Sequence, residues 1–444
     1  MVRASLGRPT RMVVLAYLLA AAIGTVLLMI PAATTQEGSG DFRDALFTSV
    51  SAVCITGMST VDVSTYWTPF GQSVILCLVQ IGGLGIMTLA MLLVLVVRGR
   101  LGLRDTLAAQ ADAHTLTFGD VRRLLRRIVT LFVVVELVVA VLLTIRFRAA
   151  YDAGIGQALW HGVFHGVSSV NNAGFALYPD GMISFVGDIW IIGPLCLGVL
   201  LGGLGYPVLF ELRQRGRRYR QWSMHLQLTI KGTVLLFVVG LVAFVGFEWS
   251  NPGTLGPLGV WDKTVGGLAG TVFPRTSGFN SVDYAQIRPE TMTISYVLMF
   301  IGGGSAGTAG GIKLTTFLIL AAVMWAEIRG ERDVTVGHRR IPAETQRQAL
   351  TVALLGVACV MLGTIVMVSV TSLPLELAMF EVISAFSTVG LSANVTPQLP
   401  AAGEAVLMVL MFIGRVGIIT VASSLALSSR RRRYQLPEER PIVG

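Results

Sequence analysis

Charge is what this sequence has least of. Only 13% of its 444 residues are Asp, Glu, Lys or Arg, against 53% hydrophobic, where soluble domains carry about 25% charged residues. That balance excludes a soluble globular domain and points to a bilayer. Cysteine is also sparse: Cys54, Cys77, Cys196 and Cys359 all fall in apolar segments with no paired spacing, so a disulfide framework and a zinc site are excluded and free thiols are expected. No Gly-x-x-x-x-Gly-Lys-Ser/Thr loop occurs, which leaves the chain without a nucleotide cradle to power a pump. Nor is there a nucleophile and base pair, or a metal-ligand set, of recognisable spacing. An enzyme is therefore not expected; an intramembrane enzyme, in which His161, His165 and Glu136 would have to converge, is the remote alternative.

What the sequence has is long apolar runs, such as Val74 to Val97 and Ile128 to Ile145, near or above the ~20 residues that cross a hydrocarbon core. Met12 to Ile30 is expected to be the first membrane helix and not a cleaved signal. Between the runs lie four shorter apolar segments that each close on a glycine: Ser49 to Gly57, Gly166 to Gly174, Gly270 to Gly278, and Phe380 to Gly390. The four glycines are 117, 104 and 112 residues apart, which is a fourfold internal repeat. Each unit reads as a long helix, a half-helix too short to span, and a second long helix.

The expected fold is thus an all-α polytopic membrane protein of four helix–pore loop–helix repeats, with eight spanning helices around a central pore. The repeats cover 12–97 (pore loop 45–59), 128–211 (157–175), 226–326 (265–279) and 349–427 (375–391), followed by a cytoplasmic tail, 428–444. The second helices are expected to run unbroken through Phe70 to Val97, Val186 to Glu211 and Glu404 to Leu427, with that of the third repeat interrupted.

The net charge of +9 is topological. If the half-helices dip in from one side, 26 of the 34 Lys and Arg residues fall on the other, in residues 1–11, 98–127, 211–231, 327–348 and 428–444. The positive-inside rule then puts both termini and these linkers in the cytoplasm, with the half-helices entering from outside. Membrane orientation and lipid contact account for the basic charge, and no nucleic-acid partner is expected.

Non-helical backbone at membrane depth survives only where it is buried in protein or lines a wet cavity. Four equivalent segments most simply face one another around an axis and offer it their carbonyl oxygens. Such a strand alternates left- and right-handed conformations, and glycine takes the former cheaply. Rings of carbonyls replace the hydration shell of a monovalent cation, as in the Thr-Val-Gly filter of potassium channels. Ser387-Thr388-Val389-Gly390 contains that tripeptide; Cys54-Ile55-Thr56-Gly57, Asn171-Asn172-Ala173-Gly174 and Arg275-Thr276-Ser277-Gly278 are degenerate copies. With only one full Thr-Val-Gly, discrimination against sodium should be weaker than in a tetrameric channel. Asp62 and Asp283, outside the filters, could gather cations at the mouth or simply sit in solvated loops.

These four stretches, with the flanking Ala52-Val53, Phe175, Pro274, Phe279-Asn280 and Leu391-Ser392, resemble the pore-loop signatures of the Ktr/Trk/HKT potassium transporter superfamily, and the resemblance covers essentially the whole chain. With eight spans and no extra N-terminal pair it is most similar to the KtrB-type membrane subunits of bacterial Ktr systems. The resemblance implies sodium-stimulated potassium uptake across the cytoplasmic membrane of a bacterium, a homodimer with one pore per protomer, and a cytoplasmic KtrA-type regulatory ring that carries the nucleotide. The only ligands implied for this chain are potassium, with sodium, at the filter carbonyls.

Two features lie below the filters. Six of the thirteen residues from Ile301 to Lys313 are glycine, each costing up to ~1 kcal/mol relative to alanine in a helix. The stretch Gly302, Gly303, Gly304, Ser305, Ala306, Gly307, Thr308, Ala309, Gly310, Gly311 is therefore expected to break the third repeat's second helix into halves joined by a mobile loop under the filter, with Lys313 anchoring it to a carbonyl or acid; close helix packing is the alternative. The resemblance makes it the intramembrane gating loop. Arg415, alone in an apolar helix, needs a partner or a wet cavity. A fixed cation below a cation filter would impose an electrostatic barrier, the role the resemblance gives it, unless it forms a structural ion pair with Glu381 or Glu136. His161 and His165, at i and i+4, have metal-ligand spacing but no third ligand nearby, so hydrogen bonding behind the filter is expected.

The leading function is a gated potassium pathway running downhill. An ion-coupled secondary transporter with alternating access is the alternative, but it calls for inverted repeats, and these four run in one sense.

Overall fold

The computed structural model describes residues 7–36, 38–84, 118–152, 154–216, 218–275, 277–337 and 339–417. The expected helical extensions 85–97 and 418–427, the linker 98–117, the tail and Thr276 lie outside the described residues. The rest is helical apart from short connections and one hairpin. Repeat 1 comprises α1 (Gly7–Leu28), the pore helix α2 (Phe42–Val53), a single turn α3 (Val63–Tyr66) and α4 (Pro69–Gly83). Repeat 2 comprises α5 (Phe118–Ala150), pore helix α6 (Ile155–Val170), α7 (Ile189–Leu204) and α8 (Tyr206–Arg215). Repeat 3 has α9 (Met224–Glu248), pore helix α10 (Val260–Val272), α11 (Pro289–Phe300) and α12 (Leu314–Ile328). Repeat 4 has α13 (Ala343–Val370), pore helix α14 (Leu375–Phe386) and α15 (Ala401–Val416). Between α12 and α13, β1 (Thr335–Val336) pairs antiparallel with β2 (Arg339–Arg340).

Local chemistry explains the starts. Asp41, Thr68, Asp188 and Ser223 each cap a helix N-terminus, accepting from the backbone N–H of Arg43, Gly71, Trp190 and Leu226, and each such cap contributes about 1 kcal/mol. Among the described residues, the 28-residue stretch Arg123–Ala150 of α5, together with α9 and α13, is long and apolar enough to cross a membrane. On these helices Leu137, Val141, Ile145, Val242, Leu362 and Ile365 are exposed. Among the described residues nothing covers them, as suits helices that face lipid.

The repeats close on themselves. Within each repeat the pore helix packs against its own first helix, and every second helix leans on the pore helix of the next repeat: α4 on α6, α7 on α10, α11 on α14, and α15 back on α2. That last contact makes a ring of what is, in sequence, a line. Arg43 at the start of α2 also meets Glu404 of α15 at 2.8 Å. The ring buries the apolar faces of all four pore helices, including Phe47, Phe164, Phe273 and Phe380.

Two expectations fail here. The second helix of repeat 4 does not run unbroken, since it ends at Val416 with Gly417 at φ +89. The second helix of repeat 2 is not continuous: α7 and α8 meet at a 95° bend. Gly205 sits at the bend with φ +88, and Pro207 follows in the first turn of α8, so the sequence carries both the residue that permits the turn and one that fixes it. The second helix of repeat 3 is broken as the glycine content demands, between Phe300 and Leu314.

Candidate functional site

Three pore helices end in the same turn. Cys54, Asn171 and Ser387 cap α2, α6 and α14. The next residues, Ile55, Asn172 and Thr388, have φ of 52, 57 and 49, and each donates its N–H three residues back, to Ala52, Ser169 and Ala385, at 3.0 Å. Thr56, Ala173 and Val389 then donate five residues back, to the carbonyls of Ser51, Ser168 and Ser384, at 2.8, 2.7 and 2.8 Å. The glycines follow at φ 88, 74 and 97. The alternation expected for an inward-facing carbonyl strand is thus present, but glycine accounts for only half of it. A β-branched Ile55 or Thr388 in the left-handed region costs about 1–3 kcal/mol and persists only where its surroundings enforce it.

The third repeat departs from this pattern. Gly278 has φ +70, yet Ser277 donates only four residues back, to Phe273, at 3.0 Å. Pro274 and Arg275 occupy the turn, and Val272 stands where the other repeats have serine.

The four glycines interlock. A first side-chain carbon at Gly57 would stand 2.0 Å from the Ala173 carbonyl oxygen, at Gly174 2.2 Å from that of Ser277, at Gly278 2.5 Å from that of Val389, and at Gly390 1.9 Å from that of Thr56. Each of these glycines therefore makes room for the carbonyl just before the glycine of the next repeat, and the fourth returns to the first. The four segments thus close a ring through their glycines and backbone carbonyls. The hydroxyls of Thr56, Ser387 and Thr388 are buried there with no hydrogen-bond partner among the described residues, so further oxygens remain available.

Hydrogen bonds hold this ring from behind. The Ser51 and Ser384 hydroxyls accept from the N–H groups of Gly57 and Gly390, at 3.1 and 3.2 Å, and the Ser168 hydroxyl donates to Phe175 O at 2.9 Å. The Leu177 N–H donates to His165 Nε2 at 3.1 Å, leaving Nδ1 to donate to His161 O at 2.7 Å. His161 Nδ1 lies 3.0 Å from Asp152 and 2.8 Å from the Tyr178 hydroxyl. No group of three metal-ligating side chains forms among the described residues. Glu381, fully buried, accepts from Ser392 Oγ (2.6 Å), Ala393 N (3.2 Å) and Thr396 Oγ1 (2.7 Å). The carboxylates of Asp62 and Asp283 cap their own turns.

The glycine-rich stretch lies against this ring. Gly310 abuts the Thr388 side chain and Gly311 abuts Ser387, while Thr308 Oγ1 donates to Asn172 Oδ1 at 3.2 Å. The loop is anchored to the bend of repeat 2 by Gly304 N–H to Gly203 O (2.8 Å) and Thr308 N–H to Gly202 O (3.1 Å). Lys313 Nζ donates to Ala309 O at 2.5 Å. Arg415, 7% exposed, donates from Nη1 to Thr308 O and from Nη2 to Gly82 O. The expected alternative of an ion pair with Glu381 or Glu136 is not found: Glu381 serves the segment after the fourth filter, and Glu136 accepts from Gln80 and Asn171.

A signal in the sequence goes with this convergence. Ile81-Gly82-Gly83-Leu84, Leu201-Gly202-Gly203-Leu204, Ile301-Gly302-Gly303-Gly304 and Ile413-Gly414-Arg415-Val416 are the same motif in the four second helices. Gly82, Gly202 and Gly414 lie against the carbonyls of Val53, Val170 and Phe386, each four residues before a filter glycine. Arg415 therefore replaces the second glycine of its motif. The serines six residues before Gly57, Gly174 and Gly390 are a second signal of this kind.

The sequence matches the TrkH family, described as cation transport proteins, over residues 6–431. It is 39% identical over 436 residues to the Ktr system potassium uptake protein B of Bacillus subtilis, covering 98% of this chain and 97% of that one. To the Ktr system potassium uptake protein B of Vibrio alginolyticus it is 34% identical, covering 99% and 95%. In structure it resembles the potassium transporter TrkH from Vibrio parahaemolyticus, with a TM-score of 0.76, 18% identity, and coverage of 96% of this chain and 86% of that one.

Proposed function

Because this chain belongs to the TrkH family of cation transport proteins, we propose that it carries potassium ions across a membrane through the carbonyl ring of its four filter segments. The observation that carries the reading is the interlock of Gly57, Gly174, Gly278 and Gly390 with one another's carbonyls. Oxygens fixed in advance around an axis replace the water a potassium ion must shed, and they do so without reorganising. The family is one of transporters, so an enzyme reading falls away.

The driving force is the membrane potential, which supplies about 2.3 kcal/mol per charge per 100 mV. The chain is a multi-pass membrane protein; the basic linkers support a bacterial cytoplasmic membrane with both termini inside. The segment Gly302–Gly311 acts as the gate beneath the filter, and Arg415 and Lys313 set an electrostatic barrier. Among the described residues both cations are met by carbonyls and by no acid. A unit charge ~5 Å from a passing cation at an effective dielectric of ~20 opposes it by about 3 kcal/mol. A homodimer, a nucleotide-binding cytoplasmic ring of the KtrA type and stimulation by sodium complete the proposal, resting on the relatives' membership of Ktr systems. No cofactor is proposed for this chain itself.

The test is rubidium or potassium uptake into proteoliposomes by wild type and by Gly390→Asp, with the regulatory ring present. Potassium-selective flux is expected in wild type and lost in the variant. No cation flux in wild type, or full flux through Gly390→Asp, would sink the reading.

A further inference from the structure

Glu136 lies in α5 within a run otherwise built of Val and Leu, and it is 7% exposed. A carboxylate at this depth costs a few kcal/mol on insertion scales, so a residue that fills the same space more cheaply would be expected unless the carboxylate has a task. Its partners indicate one. Oε1 accepts from Gln80 Nε2 of α4 at 3.0 Å and from Asn171 Nδ2 at 2.9 Å. Asn171 Nδ2 also donates to Gln80 Oε1 at 3.0 Å and to Val167 O at 2.9 Å. Three side chains from two repeats close a triangle directly behind the second filter segment.

Asn171 is the residue that ends α6 and hands the chain to Asn172, at φ +57. Asn172 Oδ1 accepts from Thr308, the Thr308 carbonyl accepts from Arg415, and Arg415 Nη2 reaches Gly82 O. Gly82 is two residues beyond Gln80, on the helix that holds the triangle. Filter, glycine-rich loop, Arg415 and Glu136 therefore lie on one circuit of hydrogen bonds, closed by the backbone between Asn171 and Asn172 and between Gln80 and Gly82.

We propose that Glu136 is a positioning residue of the filter: by holding Asn171 and Gln80 it fixes the left-handed Asn172, and with it the second repeat's share of the carbonyl ring. Glu136 serves here because its carboxyl accepts from two amide groups at once, one from each repeat. The proposal rests on the reading of the chain as a potassium pathway and adds a specificity determinant to it.

The experiment measures rubidium influx and its competition by sodium in proteoliposomes holding wild type, Glu136→Gln, Glu136→Ala, Asn171→Ala and the double alanine variant. The ratio of the two half-saturation concentrations is the readout, because it does not depend on how much protein is active. Glu136→Ala should lower that ratio about tenfold, the equivalent of about one lost hydrogen bond. Asn171→Ala should do the same, and the double variant should be no worse than either single one, as expected for two residues acting through one contact. Glu136→Gln, which keeps an acceptor oxygen, should stay within about threefold of wild type. Wild type failing to move rubidium would overturn the transport reading itself. A selective wild type with an unchanged ratio in Glu136→Ala and Asn171→Ala would overturn only the role of Glu136, as would a Glu136→Gln variant as poor as the alanine. Should Glu136→Ala not yield monodisperse protein, Asn171→Ala decides alone.

Discussion

Arg415 Nη1 donates to the carbonyl oxygen of Thr308, tying the last described turn of repeat 4 to the glycine-rich loop of repeat 3. The same guanidinium reaches the Gly82 carbonyl of repeat 1, so one side chain spans three repeats. A latch and a charge are thereby combined in one residue.

Replacing Arg415 with alanine removes both. Thr308 and Gly82 lose a charged donor, worth ~1.5–3 kcal/mol each, and the like-charge opposition to a passing cation goes too. Basal rubidium flux through Arg415→Ala without any regulatory partner should rise about tenfold or more. Arg415→Lys should fall between, since an ammonium retains the charge but cannot present the planar fork that meets two carbonyls at once. Flux in Arg415→Ala at or below the wild-type level would mean that the loop is not held shut from this side.

The filter's scaffold is tested at Ser384, whose hydroxyl accepts from the Gly390 N–H at 3.2 Å. Ser384→Ala leaves that buried amide unpaired at a cost of ~1–3 kcal/mol. The expected result is reduced discrimination between potassium and sodium with assembly intact, read as competition by sodium in the uptake assay. Ser51→Ala should act alike, because Ser51 holds Gly57 in the same way at 3.1 Å. An unaltered ratio in both variants would show that the carbonyl ring is kept in place without them.

Glu381 is a different kind of support. Its two oxygens collect Ser392, Ala393 and Thr396, the stretch immediately beyond the fourth filter, and the residue is fully buried. Glu381→Ala strands three donors at once, so the loss should appear in stability: a cost of ~3 kcal/mol or more and a marked drop in the midpoint of thermal unfolding in detergent. Glu381→Gln should recover much of it, because an amide oxygen still accepts. A midpoint unchanged in Glu381→Ala would assign the three donors other partners.

How much of this could be read from the chain depends on the kind of signal. The repeat, the pore segments and the break after Phe300 follow from composition and spacing, since apolar length and glycine density act locally. The bend at Gly205 is not legible in the sequence, because the run around it is strongly apolar and Gly202, Gly203 and Gly205 together look like helix packing until the loop's Ser305 carbonyl is found against Gly205. The left-handed Ile55 and Thr388 cannot be read from propensity, which argues against positive φ for β-branched residues though it allows Asn172; the close approach of four segments imposes it. Arg415 was legible as an isolated charge, but its partners were not. They are backbone carbonyls, whose location a side-chain inventory does not record, and pairing with Glu381 or Glu136 was the natural alternative. The recurring Ile/Leu-Gly-Gly motif shows where Arg415 belongs: at the place of Gly83, Gly203 and Gly303.

The bend at Gly205 supplies the last test. Its φ of +88 is one that residues with side chains rarely adopt, and a carbon added there would stand 2.5 Å from the Ser305 carbonyl oxygen of the glycine-rich loop. Gly205→Ala must therefore either open the bend toward a straight helix or push the loop away from Gly203 and Gly202, which hold it by the N–H groups of Gly304 and Thr308. Both routes loosen the loop. In a background with Cys54, Cys77, Cys196 and Cys359 replaced, a single Ser305→Cys thiol should react with a membrane-impermeant maleimide on the cytoplasmic side several times faster when Gly205→Ala is added. Basal rubidium flux should rise in parallel, because the segment that yields to the reagent is the one that must move for an ion to pass. Faster labelling without added flux would separate the loop's mobility from the pathway and leave Arg415 alone as the barrier. Unchanged labelling would show that the bend absorbs an alanine without disturbing the loop.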